Sequence, residues 1–214
     1  MLRVIAGEFR GMRLAAPEVG QTRPITDRVK ETLFNILGAR YALPGGLPPF
    51  DALDVFAGTG ALGIEALSRG ARGCVFVERD RRVLPTLRSN VERIADRARV
   101  LVRTDNAWTM RYDTAGAPPP RAAAVGAIPA PSEERLGASG FGLIFMDPPY
   151  ADTRDELRIV DMMDRAAAAL APQGVIVFRF PGKTDLWDLQ YTELVCVDRR
   201  DFSNMRIALL ARRG

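Results

Sequence analysis

Alternation of short apolar runs with helix-patterned segments predicts an α/β protein built on a seven-stranded, mostly parallel sheet. Apolar runs at 52–56, 73–78, 99–103, 142–146 and 174–179 read as strands buried on both faces. Segments 61–69, 80–95 and 154–170 between them carry helical spacing, as βαβ crossovers require. The last two β-like runs, 190–197 and 205–211, are joined by a short connection through Asn204. Such a link cannot hold a crossover helix, so it predicts an antiparallel hairpin at the sheet edge.

An extension, residues 1–50, precedes this core of 51–214. Two β-like runs around Gly7 and Gly11 within residues 2–14 predict a hairpin. Thr26 or Asp27 can cap a following helix in which Val29, Leu33, Ile36 and Leu37 keep helical spacing, and Gly38 is expected to stop it. Residues 43–49 read as a linker. Segment 114–140 holds prolines at 118, 119, 120, 129 and 131 without an apolar period, and is expected to be a long, mobile surface loop without chemistry of its own.

Composition narrows the chemistry. The 214 residues are 47% hydrophobic and 26% charged, which suits a globular domain with a substantial core. The chain has no histidine, so a Ser-His or Cys-His nucleophilic apparatus is excluded. Cys74 and Cys196 lie far apart in apolar stretches and read as reduced core thiols; no metal is expected. No apolar run approaches a membrane span, and the N-terminal residues lack a signal-peptide core, so no membrane association and a cytoplasmic location are expected. The net charge of +4 permits a nucleic-acid partner. Basic residues gather at both ends, as Arg3, Arg10, Arg13, Arg23, Arg28 and Lys30, and as Arg199, Arg200, Arg206, Arg212 and Arg213. Each end is a candidate phosphate-contacting surface or simply a solvated basic face.

Residues 53–63 run from a strand through a glycine turn into a helix, and Gly58, Gly60 and Gly63 fit G-x-G-x-x-G. Glycine lets such a turn bend sharply and lets backbone approach a ligand closely. Glu78 ends the next strand, where an acid can bond both ribose hydroxyls of an adenosine-bearing cofactor. The motif suits a nicotinamide dinucleotide as well as S-adenosylmethionine. Two features favour S-adenosylmethionine: Asp54 precedes the turn, placed to attract a cationic amino group, and Asp105 and Asn106 follow the third strand, where a polar side chain can bond an adenine edge. Phe56 lies within the same turn segment, and Ile64 and Glu65 read as ordinary helix residues.

The fourth apolar run ends in Asp147-Pro148-Pro149-Tyr150. Ligands of open α/β sheets bind beyond the carboxyl ends of strands, so this loop is expected to face the glycine turn. The prolines stiffen it and fix the Asp147 carboxylate and a backbone carbonyl as two acceptors. Two acceptors suit an NH₂ group. The lone pair of an exocyclic base amine is delocalised into the ring, and acceptors on both hydrogens favour pyramidalisation and aim the lone pair at an electrophilic methyl. Attack acidifies the nitrogen, so its proton leaves without a strong base. Tyr150 offers an aromatic face to the base. Asp147, Pro148 and Tyr150 are the catalytic candidates.

These residues resemble the RsmD-type family of small-subunit ribosomal RNA guanine N2-methyltransferases. The resemblance spans Arg3–Gly7, Arg10-Gly11, Thr22–Leu37, Asp54–Gly63, Glu65–Ala71 and Asp147–Tyr150, and the segment Arg23-Pro24-Ile25-Thr26-Asp27-Arg28-Val29 is its specific part. It implies a Rossmann-like class I methyltransferase fold, S-adenosylmethionine as donor, and guanine N2 of 16S ribosomal RNA, within an assembling 30S particle, as acceptor. It further implies that the stretch Arg23–Arg28 borders the cofactor or RNA entry, and Arg10, Arg13, Arg23, Thr26 and Arg28 are candidate RNA contacts. Segment 114–140 departs from the shorter connection expected of the family. Competing readings are a DNA adenine or protein glutamine N-methyltransferase, a nicotinamide oxidoreductase, and a non-catalytic RNA-binding assembly factor.

Overall fold

The computed structural model describes residues 2–16, 25–95, 98–112 and 136–214. Its centre is one seven-stranded sheet. In chain order the elements are α1 (Asp27–Arg40), β1 (Asp51–Val55), α2 (Ala61–Ser68), β2 (Gly73–Val77), α3 (Leu84–Glu92), β3 (Arg99–Arg103), β4 (Phe141–Met146), a 3₁₀ turn (Tyr150–Arg154), α4 (Glu156–Ala167), β5 (Leu170–Pro181), β6 (Leu194–Phe202) and β7 (Met205–Arg212). The strand order is β3-β2-β1-β4-β5-β7-β6. The first five strands pair in parallel, and β7 joins β5 and β6 antiparallel.

Three inner strands are covered on both faces, with every residue of β1, β2 and β4 buried, whereas β3 at the sheet edge is only partly buried throughout, which corrects the reading of 99–103 as a doubly buried strand. One core layer packs α1, α2 and α3 against one face with Phe34, Ile64, Phe76 and Phe145, and the other packs α4 with Ile144, Met146, Ile159 and Phe178. Residues 2–4 pair antiparallel with 12–14 through the Arg3–Arg13 bridge, and Leu2, Val4, Phe9 and Leu14 sink into the α1–α2 layer. Among the described residues, no helix is long and apolar enough to cross a membrane.

Several element bounds differ from the sequence reading. Helix α1 is capped by Thr26, whose hydroxyl accepts from the Val29 N–H, but it passes Gly38 and ends at Arg40. Gly38 serves close packing instead, since a Cβ there would stand 2.7 Å from the Leu43 carbonyl oxygen. The third helix starts at Leu84, because residues 80–83 form a turn first. The edge strand β6 lies at 194–202, displaced from the expected 190–197. Its Asp198-Arg199-Arg200-Asp201 run looks unlike a core strand, yet charges are what keep a sheet edge from pairing with another chain. Most of the 114–140 segment lies outside the described residues. Its end is anchored, with the Gly137 N–H donating to the Asp51 carboxylate at 2.6 Å.

Candidate active site

Strand order reverses between β1 and β4, and at such a switch point the connections leave to opposite sides and open a crevice. The two motifs meet there. Asp54 and Val55 lie beside Phe145 and Met146 in parallel register, so the glycine turn and the Asp-Pro-Pro-Tyr loop leave the same end of adjacent strands. A main-chain bond from the Asp147 N–H to the Val55 carbonyl, at 3.4 Å, ties the loops together.

The glycine turn needs its glycines. Gly58 and Gly60 have φ of +56° and +80°, and a Cβ at Gly60 would stand 2.8 Å from Leu87. Phe56 also has positive φ, +61°, a strained state for a residue with a side chain, costing roughly 1–3 kcal/mol. Its ring packs against Trp108 at 5.1 Å, and Arg158 stacks on Trp108 at 4.2 Å, which makes an aromatic wall between the turn and α4. Asn90 of α3 braces the turn from behind: its amide donates to Thr59 O at 2.9 Å and to Ala15 O at 3.1 Å, and its oxygen accepts from the Ala15 N–H. Asn90 thus links Ala15, at the end of the hairpin, to the glycine turn.

The predicted cofactor residues surround this turn in different ways. Glu78 stands at its lip, one oxygen accepting from the Gly58 N–H at 2.9 Å and the other from the Asp80 N–H at 2.8 Å. Asp54 is 2% exposed and turned inward, accepting from the Gly63 N–H at 2.9 Å. Burial, reinforced by the nearby Asp147 and Glu78 carboxylates against the pull of the Gly63 bond and Arg179, pushes its pKa up to about 8. Asp105 is paired with Arg103 at 2.8 Å and partly exposed, while Asn106 accepts from the Trp108 N–H and turns the chain after β3.

In the Asp-Pro-Pro-Tyr loop, Pro148 is buried and Pro149 exposed. Asp147 is held by an unanticipated partner. Arg179 of β5 donates Nε to one carboxylate oxygen at 2.6 Å, and its Nη2 lies 2.5 Å from the other. Burial pushes the Asp147 carboxyl up, and Arg179 opposes that shift. The Tyr150 hydroxyl oxygen is buried and lies within the field of Arg179. The one signal for Arg179 in the sequence was a cation ending the apolar run Val175–Phe178.

Two sequence readings are corrected. Glu65 is not an ordinary helix residue: it is fully buried and accepts from the Ile5 and Ala6 N–H groups, Lys30 at 3.1 Å and Arg69 at 2.8 Å. Lys30 is therefore a core residue and no phosphate contact. The C-terminal arginines make contacts within the chain, Arg200 with Asp198, Arg206 with Asp201, Arg212 with Ala167 O, Arg213 with Tyr191 O and Arg199 with Trp187 O, while Arg199, Arg200, Arg212 and Arg213 stay exposed. Of the candidate RNA contacts, Arg10, Arg13 and Arg28 are exposed and Thr26 caps α1; Arg23 lies outside the described residues.

Sheet order, crevice and glycine turn define a Rossmann-like class I methyltransferase fold. Residues 2–119 match the model of the family described as "Conserved hypothetical protein 95", and the chain belongs to this RsmD-type family. It is 33% identical to "Putative rRNA methyltransferase YlbH" of Bacillus subtilis over the whole of both chains. It is 45% identical to "Ribosomal RNA small subunit methyltransferase D" of Escherichia coli over 101 residues, 47% of this chain and 48% of that one. Among solved structures, "Putative methyltransferase yhhF" from Escherichia coli superposes with a TM-score of 0.71 at 25% identity, covering 100% of this chain and 98% of the other.

Proposed function

We propose that the chain transfers a methyl group from S-adenosylmethionine to the exocyclic N2 of a guanine in small-subunit ribosomal RNA, within an assembling 30S particle. The observation that carries this reading is the junction of the glycine turn and the Asp147 loop at the β1/β4 crevice. The family membership and the relatives' names, which specify ribosomal RNA, support it.

The donor fits the residues present. The positive-φ backbone at Gly58 leaves room for close approach, Glu78 stands where ribose hydroxyls would bond, and Phe56 and Trp108 offer an apolar wall. Asp105 stands at the end of β3, where an adenine amine would bond. When bound, S-adenosylmethionine supplies a sulfonium-activated methyl group.

The chain's own part is positioning. Asp147 and the Pro148 carbonyl accept the two amine hydrogens and orient the nitrogen lone pair, and holding reactants in line contributes up to roughly 7–11 kcal/mol in intramolecular models. The Tyr150 ring flanks the base. Exposed Arg10, Arg13 and Arg28 contact RNA phosphates.

Transfer of labelled methyl to purified 30S particles, naked RNA, DNA and protein, followed by nucleoside analysis, tests the reading. N2-methylguanosine in RNA is expected. Label confined to DNA adenine or protein glutamine would replace it with the corresponding rival, and binding of a nicotinamide dinucleotide without S-adenosylmethionine would replace it with an oxidoreductase.

A further inference from the structure

We propose that Arg179 is a positioning residue for methyl transfer: its guanidinium grips both oxygens of Asp147 and leaves the carboxylate's remaining lone pairs aimed at the substrate amine. This inference rests on the assignment of Asp147 to the amine.

The geometry is a fork on a fork. Nε and Nη2 reach separate oxygens at 2.6 and 2.5 Å, so rotation of the carboxylate breaks both bonds at once. Arg179 itself is only 8% exposed, and it sits on an interior strand, with β5 paired to β4 on one side and to β7 on the other, where it lies opposite Ile207. The stiffness of the prolines is thereby completed by a rigid second support that approaches from the neighbouring strand. An ionised carboxylate presents about four lone-pair sites, and a bidentate guanidinium uses two of them. The others remain for an NH₂ group.

The cation also works against protonation of Asp147. A protonated acid would direct an O–H donor toward an amine that needs an acceptor. Burial favours that neutral form, and Arg179 opposes it. The other groups whose charges act in this cluster are Asp54 from β1, Tyr150 from the loop and Glu78 after β2; Asp54 and Tyr150 also act on Arg179, and Glu78 acts on Asp54.

The experiment compares wild type, Arg179→Gln and Arg179→Lys on small-subunit particles, reading kcat, KM, S-adenosylmethionine affinity and the pH profile of kcat. Arg179→Gln is expected to lower kcat by roughly 10²-fold, the effect of a misplaced reacting group, with cofactor affinity retained. Its acidic limb moves to higher pH, because the carboxyl has lost the cation that opposed protonation. Arg179→Lys returns the limb toward the wild-type position but not the rate, since one ammonium cannot hold two oxygens in a plane. An unmoved limb, or a rate loss explained wholly by lost cofactor affinity, overturns the proposal. Should Arg179→Gln fail to fold, Arg179→Lys decides: wild-type kcat in that variant overturns it. The two levels separate cleanly. Full activity of Asp147→Ala removes the amine assignment itself, whereas an inactive Asp147→Ala beside an unaffected Arg179→Gln removes only the role of Arg179.

Discussion

Lys30 and Glu65 form a fully buried ion pair, 3.1 Å between Nζ and Oε2, that joins the N-terminal helix to the helix launched by the glycine turn. Lys30 also donates to the Arg3 carbonyl at 2.5 Å, and Glu65 receives the Ile5 and Ala6 N–H groups. Hairpin, α1 and α2 therefore share one polar knot beneath the turn. Residues 1–50 are not an appendage in energetic terms.

Breaking that knot is costly because a stranded charge stays buried. Lys30→Met removes the ammonium but leaves Glu65 with Arg69 and two N–H donors, so the loss should lie at the low end for buried pairs, about 3 kcal/mol. Urea unfolding measures it. A loss no larger than that of an exposed ion pair, under about 1 kcal/mol, would show that the pair carries no load.

Asp54 gives the protein a pH signature. Its carboxyl titrates near pH 8 when folded and near its ordinary value of 3.8 when unfolded. Between these values the unfolded chain has released the proton and the folded one has not, so stability from this group falls as pH rises, by at most about 1.4 kcal/mol per unit. Asp54→Asn keeps an acceptor for the Gly63 N–H and cannot ionise. Its stability relative to wild type should grow from pH 4 to pH 8 in denaturant titrations, and a constant difference across that window would reject the assignment.

Phosphate contact by the hairpin is tested by salt. Each phosphate contact removed should lower the slope of log K against log salt by about 0.7–0.9. Arg10→Ala and Arg13→Ala should each show this change in RNA-binding titrations, while Arg200→Ala, whose partner is Asp198, should leave the slope as it is. The reverse pattern would move the RNA surface to the C-terminal hairpin.

The parallel core was legible because its strands obey one rule. Phe141–Met146 and Cys74–Val77 are buried on both faces and therefore continuously apolar in sequence. Strand β6 was misplaced because its charged residues satisfy an edge, and an edge is defined by what lies beside it. The glycine turn and Asp147 were legible because local chemistry dictates them. Their supports were not. Arg179 lies 32 positions from Asp147, and Asn90 lies 75 from Ala15 and 31 from Thr59, so only folding brings them together. Lys30 and Glu65 carry the same lesson: two charges on separate helices look solvated until both helices are packed.

The most direct measurement is methyl transfer by Asp147→Ala to small-subunit particles, with S-adenosylmethionine binding followed by calorimetry on the same preparation. Turnover should fall by at least roughly 10²-fold while cofactor affinity persists, since Asp147 is assigned to the acceptor amine. Undiminished turnover in that variant would contradict the account.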